Sequence, residues 1–267
     1  MDPKGKTDHI LAVVQARMGS KRLPGKVLSD ILGRPMIFRI VERLKMCKSL
    51  SNIVVATSTD KRDDAVEESC KRHGLTFYRG QEQDLTDRFY QAAKLFNADA
   101  VLRVTADCPV VDPRVTDGLI DFFLANKDKY DYVSNARPRP TYPHGMDVEI
   151  FSFSLLERLW NDVKDPFRRE WFTTLIFENP KDYRIACFEN DRDLSDIRLT
   201  VDYEEDLELV RYVYDKLYSK DRCFLLEDII KLREQDPEIF EINKKYGRNL
   251  QYFEELKKRG LPNPKEK

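Results

Sequence analysis

Short runs of aliphatic and β-branched residues recur along this chain, and each is separated from the next by a segment whose apolar residues repeat with helical spacing. Residues 9–14 (HILAVV), 53–56 (IVVA), 75–78 (LTFY) and 98–104 (ADAVLRV) read as strands. Helices are expected over 35–47, where Met36, Ile37, Ile40, Val41 and Leu44 share a face, over 61–73 before a stop at Gly74, over 86–96 and over 115–125. Strands alternating with helices predict an α/β chain with a mostly parallel sheet flanked by helices. Ligands of such sheets collect outside the carboxyl ends of the strands. Three loops therefore matter most, those after Val14, Ala56 and Val104.

The second half reads differently. Residues 137–145 (RPRPTYPHG) hold three prolines, which excludes regular structure there. MDVEIF, YRIACF and IRLTV read as strands; helices are expected over 153–163, 166–177 and 203–217, with two more closing the chain. No repeat or low-complexity linker appears. The expected organisation is a disordered extension over 1–8 and one domain over 9–260, with an excursion at about 137–180. The last residues, NPKEK, are expected to fray.

Composition narrows the function classes. At 267 residues and 41% hydrophobic, the chain is long enough for a substantial core. Its net charge of −1 gives no reason to expect a nucleic-acid partner. No apolar run is long enough for a membrane span, and no signal-peptide core precedes the first strand. Five scattered cysteines without a C-x-x-C pair read as reduced thiols of a cytoplasmic protein, and three distant histidines argue against a histidine-rich zinc site.

Against that neutral background, VVQARMGSKRLPGK concentrates Arg17, Lys21, Arg22 and Lys26 directly after the first strand. The phosphate-loop pattern G-x-x-x-x-G-K-[ST] fails twice: five residues separate Gly19 from Gly25, and Val27 follows Lys26. The dinucleotide pattern G-x-G-x-x-G is absent as well. What remains is a strand, a glycine- and cation-rich loop, then a helix. Glycines let backbone N–H groups approach phosphate oxygens, arginine offers a planar fork and lysine a point charge. The alternative is a solvated basic loop.

The motif QARMGSKRLPGK is similar to the N-terminal motif of the cytidylyltransferases that make CMP-activated sugars, and resembles the branch typified by the spore coat polysaccharide F protein. CMP-Kdo and CMP-acylneuraminate synthetases are relatives. The resemblance implies a Rossmann-like nucleotide-diphospho-sugar transferase fold, CTP and Mg²⁺ as reactants, pyrophosphate as product, and a homodimer. Carried over by match, Arg17, Ser20, Arg22 and Lys26 contact the triphosphate, Gly19 belongs to the same loop, and Lys26 is the leading catalytic cation, with Arg17 beside it. Backbone atoms of Ala16 and Arg17 are expected to read the base.

Asp107 (ADCPVVDP) and Asp202 (LTVDYEEDL) each follow an expected strand, where a carboxylate faces the ligand crevice. Two such acids suit Mg²⁺, which takes a few carboxylate oxygens, substrate phosphates and waters. Each has a plain alternative: Asp107 shapes the turn before Pro109, and Asp202 caps a helix through D-x-x-E with Glu205. The resemblance favours the metal role for both; Asp112, Asp206 and Glu205 read as helix-start acids. Asp87 and Arg88 resemble the D-R element of the cytosine pocket; otherwise they are an ordinary helix start. HGMDVEIF resembles the element bordering the acceptor, so Asp147, Glu149 and Arg169 are acceptor candidates. The alternative is a polar outward face with Met146, Val148 and Ile150 inward. Where relatives read R-E-H-V-T, this chain has Arg169-Glu170-Trp171-Phe172-Thr173. Residues 137–180 are expected to bind the acceptor and to dimerise, with Trp171 and Phe172 as interface candidates.

The expected activity is transfer of CMP from CTP to an acidic sugar or related acceptor. Two other readings stay open: a glycosyltransferase using residues 191–193 (DRD) as a metal motif, or a nucleotide-binding protein without catalysis.

Overall fold

The computed structural model describes residues 8–261. The NPKEK end and all of the expected extension except Asp8 lie outside the described residues; Asp8 pairs with Lys127 at 3.0 Å. The strands are β1 (Ile10–Gln15), β2 (Asp30–Ile31), β3 (Arg34–Pro35), β4 (Asn52–Ser58), β5 (Phe77–Gly80), β6 (Ala100–Thr105), β7 (Tyr132–Ser134), β8 (Val148–Ser152) and β9 (Ile185–Cys187). The helices are α1 (Met36–Leu44), α2 (Asp64–His73), α3 (Leu85–Leu95), α4 (Pro113–Ala125), α5 (Phe153–Asp162), α6 (Pro166–Glu170), α7 (Phe172–Glu178), α8 (Glu204–Leu217), α9 (Leu226–Gln235) and α10 (Leu250–Lys258).

Seven strands form one sheet in the order β5-β4-β1-β6-β8-β7-β9, and β2 and β3 make a separate small hairpin. β8 runs antiparallel to both its neighbours, whereas the other pairings are parallel. β1 lies inside the sheet between β4 and β6, and its side chains alternate between two cores, as a period of two requires. Ile10, Ala12 and Val14 face the side covered by α1, α4, α8 and α9. Leu11 and Val13 face the side covered by α3, α5 and α7. All five are fully buried, which contributes about 1.5–3 kcal/mol for each of the larger side chains.

Helix starts follow the local chemistry. Asp84, Asp112 and Ser152 cap α3, α4 and α5 by accepting from backbone N–H groups. α2 stops at Gly74, as expected. Three local expectations need correction. IRLTV is extended but joins no ladder; its one bridge pairs Arg198 with His144. Its backbone serves the neighbouring loops instead, with Leu199 N donating to His144 O and Val201 N to Asp107 O. The helix expected over 166–177 breaks at Trp171, whose φ of −116° and ψ of 38° are not helical. β7 was not anticipated at all. Phe172, taken as an interface candidate, is 1% exposed and packs edge-on to Phe89 and Phe151 in the core.

Candidate active site

The loops after β1 and β6 and the extended segment ending at Asp202 open onto one cleft of about 260 Å³ at the carboxyl edge of the parallel strands. Its nucleotide end, so named from the basic loop, is held by local turns. Ala16 N donates to Ala56 O, Met18 N to Asp63 Oδ1 at 2.7 Å, and Gly25 N back to Met18 O. Gly25 adopts φ 73°, a left-handed conformation that a side chain disfavours, and it starts the short 3-10 turn carrying Lys26. Ser20 Oγ accepts from Leu23 N and so braces the same loop.

That turn buries Lys26 and delivers its ammonium into an oxygen cage. Nζ lies 3.0 Å from Asp107 Oδ2, 2.8 Å from Asp202 Oδ1 and 2.7 Å from Val201 O. Burial disfavours the charge, but Asp107 and Asp202 outweigh it and raise the Lys26 pKa. Burial likewise opposes ionisation of Asp107, yet Lys26 and the Thr105 hydroxyl hold its carboxyl well below the usual range. Arg22 Nη2 reaches Asp202 Oδ1 at 2.6 Å. Behind Asp202, Arg198 forks onto Asp206 through two 2.8 Å bonds and touches Asp202 Oδ2 at 3.3 Å. Asp206, not the Asp202–Glu205 pair, caps α8 by accepting from the N–H groups of Asp202 and Tyr203. Glu205 turns outward to Lys245.

Arg17 faces Glu170, Nη1 to Oε1 at 3.0 Å. Burial raises the Glu170 pKa against the pull of Arg17 and Arg88, and its Oε2 is buried without a partner. Glu170 and Trp171 carry the cleft toward a second end formed by Arg103, His144, Asp147, Glu149 and Arg248. Glu149 lies directly across from Arg103 in the β6–β8 register and binds it at 2.6 Å. Asp147 accepts from Arg248 at 3.1 Å. Met146, Val148 and Ile150 are fully buried, and Glu149 is only 5% exposed, so the polar outward face considered for this strand is not observed. His144 beside Asp147 is neutral near pH 7: burial, together with Arg248 and Arg198, lowers its pKa to about 4 despite Asp147.

Gly145 joins the two ends. Its φ is +109°, and a Cβ there would stand 2.3 Å from Thr200 N, so this turn packs directly on the segment leading to Asp202.

Several expected residues stand elsewhere. Asp87 accepts from Trp160 Nε1 and Gln91, and Arg88 donates to the carbonyls of Gln81 and Glu82; neither side chain lines the cleft. Arg169 is held by Asp84 and by the carbonyls of Trp160 and Val163 and does not line the cleft. The Ala16 amide is engaged by Ala56. Residues 191–193 form an exposed turn outside the cleft, which removes the basis for a metal motif there. Arg103, Arg137, Glu170, Arg248 and Tyr252 were missed. The pairing of Arg103 with Glu149 follows from strand register; the two C-terminal residues leave no comparable sequence signal.

Comparison with known proteins gives the same direction. The pattern of the family described as Cytidylyltransferase matches residues 11–246. The spore coat polysaccharide biosynthesis protein SpsF of Bacillus subtilis is 32% identical over 217 residues, covering 78% of this chain and 88% of that protein. A solved cytidylyltransferase from Leptospira borgpetersenii superposes with a TM-score of 0.81 at 35% identity, covering 88% of this chain and 96% of that one. The structure of a CMP:2-keto-3-deoxy-manno-octonic acid synthetase complexed with CTP shares the fold, with a TM-score of 0.61 at 22% identity, over 78% of this chain and 99% of the other. The Rossmann-like sheet and the family match together establish that this chain belongs to the cytidylyltransferase family and is a nucleotidyltransferase.

Proposed function

We propose that the enzyme transfers CMP from CTP to an acidic sugar or a related small acceptor and releases pyrophosphate. The observation that carries this reading is the convergence of Lys26, Arg22, Asp107 and Asp202 at the mouth of the basic loop. The CTP-bound synthetase that shares the fold acts on a 2-keto-3-deoxy sugar acid by its name, and SpsF is named for polysaccharide biosynthesis, which supports the substrate class.

The donor set fits Mg²⁺. Asp107 Oδ2, Asp202 Oδ1 and Val201 O already surround a cation, the Lys26 ammonium, at 3.0 Å or less. Among the described residues no group of three or more His, Cys, Asp or Glu is arranged for a metal. Two carboxylates therefore leave coordination positions for phosphate oxygens and water, the usual preference of Mg²⁺. When bound there, Mg²⁺ would neutralise charge on the α-phosphate.

The chain's own groups do the rest. Arg17, Arg22 and the backbone around Gly19 and Ser20 bind and orient the triphosphate. Lys26 leaves the carboxylates for the phosphates and neutralises negative charge on the departing pyrophosphate. An acceptor oxygen, held at the Asp147–Glu149 end, forms the new bond to the α-phosphorus as the bond to the α,β-bridging oxygen breaks in line. The acceptor hydroxyl proton passes to a carboxylate of the cleft or to solvent. Positioning and charge neutralisation suffice, so no protein nucleophile is required. The resemblance further supports a homodimer, and the free cysteines a cytoplasmic location.

The test is pyrophosphate release with Mg²⁺, each nucleoside triphosphate and a panel of sugar acids, with mass spectrometry of the product. A CMP adduct formed from CTP is expected; turnover of another triphosphate in preference to CTP, or no CTP binding, would overturn the reading.

A further inference from the structure

The acceptor end carries three guanidinium groups, Arg103, Arg137 and Arg248, against two carboxylates, Asp147 and Glu149. Arg103 is paired with the Glu149 carboxylate at 2.6 Å and donates to Gln15 at 2.9 Å. Arg248 uses Nη1 on Asp147 and Nη2 on the Tyr142 carbonyl at 2.7 Å, and its Nε is buried with no partner. Arg137 donates to the neutral Asn249 Oδ1 at 3.1 Å and stands 5.4 Å from the Phe177 ring; none of the described carboxylates pairs with it. Asn249 follows Arg248 in the chain, so these contacts bring the two guanidiniums to one corner of the cleft. His144 adds no positive charge near pH 7. That corner holds a half-buried cation, Arg137, that lines the cleft without a carboxylate partner, beside a second guanidinium, Arg248, that also lines it; an anionic ligand is the charge complement such a corner lacks.

We propose that Arg137 and Arg248 hold the acid group of the acceptor and so set acceptor specificity. The proposal rests on the cytidylyl-transfer reading and names the residues for its acceptor. A planar carboxylate matches guanidinium N–H geometry, which a lysine does not reproduce. Arg248 and α10 lie beyond residues 11–246, the part matched by the family pattern, so one of the two guanidiniums of this corner comes from the C-terminal segment. The segment is anchored rather than loose. Tyr252 stacks on Phe167 with ring centroids 6.2 Å apart and meets Trp171 at 5.1 Å, and Glu255 pairs with Lys21 of the basic loop at 2.8 Å. Trp171 meets Tyr252, so the aromatic residue there helps seat the element that brings in Arg248.

The experiment measures steady-state kinetics of Arg137→Ala, Arg248→Ala and Arg248→Lys with CTP and Mg²⁺. The acceptors are 3-deoxy-manno-octulosonate, its 8-amino-3,8-dideoxy analogue and N-acetylneuraminate, with neutral hexoses alongside, and CTP binding is measured by calorimetry. Both alanine variants are expected to raise the acceptor KM at least tenfold and to change the CTP KM less than twofold. Arg248→Lys, which keeps the charge without the fork, is expected to recover part of the loss. An unchanged acceptor KM in the alanine variants overturns the proposal. If Arg248→Ala fails to fold, Arg137→Ala decides, since its side chain makes only a surface hydrogen bond to Asn249 and a stacking contact with Phe177. Wild-type enzyme that binds CTP but uses only neutral acceptors, or none of the acids, overturns this proposal and leaves nucleotide binding intact. Failure to bind CTP overturns the functional reading itself and this inference with it.

Discussion

The two ends of the cleft are built in opposite ways. The cations of the nucleotide end are local: one unbroken stretch after β1 supplies Arg17, Ser20, Arg22 and Lys26, and it is pinned by backbone bonds within the stretch or to the adjacent β4 and by Met18 N on the Asp63 carboxylate. The acceptor end is assembled from distant parts, with Glu149 on β8, Arg137 in a proline-rich loop, Trp171 between two short helices and Arg248 before the last helix. A contiguous loop carries its chemistry wherever the fold places it. An assembled corner exists only if every contributing segment docks, so it varies more readily and tolerates disruption less.

Lys26→Met strikes the local end, and the largest effect is expected there. Turnover should fall about 10²- to 10³-fold, the scale seen when one preorganised charge donor is removed. Asp202 retains Arg22 and Arg198, so circular dichroism should remain native. A loss under tenfold in the pyrophosphate assay would mean that this end works without its lysine.

Gly145→Ala tests the joint between the ends. The added methyl cannot avoid Thr200 N and Leu199 C, at 2.3 and 2.4 Å, and the φ of +109° is closed to alanine. A stability loss of at least about 3 kcal/mol is expected by urea denaturation, since strain of this kind alone costs on the order of 1–3 kcal/mol. Native-like stability would show that the two ends move independently.

His144 sharpens the comparison through pH. Unfolded, it takes up a proton around its ordinary value of 6.5; folded, it does so only near pH 4. Between those values the unfolded chain holds more protons, so this contribution is fully present above the window and is lost as pH falls through it. From pH 7 to pH 5 the folded state should lose about 2 kcal/mol from this group, and His144→Gln should flatten that part of the urea-midpoint profile. An unchanged slope in the variant would show that the histidine is not the titrating group.

The same contrast explains what was legible in the sequence. β1, β4, β6 and their helices declare themselves through runs such as HILAVV and through the repeat of Met36, Ile37, Ile40 and Leu44, because burial on both faces of a parallel sheet leaves a continuous apolar signature. Lys26, Asp107 and Asp202 could be brought together on paper because each follows an extended run, although the run before Asp202 proved not to be a ladder strand. Arg169 and Arg88 misled because a guanidinium on a helix near the cleft has carbonyls of its own to bind, and those partners are set by tertiary packing. Arg248 and Asn249 were invisible because their place depends on the Phe167–Tyr252 contact, made between segments far apart in the chain.

The reversed direction of β8 has a consequence for variation among such enzymes. Because it alone runs opposite to the rest of the sheet, it meets the crevice with its beginning, and the loop that feeds it, residues 135–147, connects to none of the crossovers that shape the triphosphate seat. On the proposed function, exchanges in the part of that loop before the His144–Gly145 turn, which packs on Leu199 and Thr200, would alter the far end of the cleft while the basic loop keeps its form.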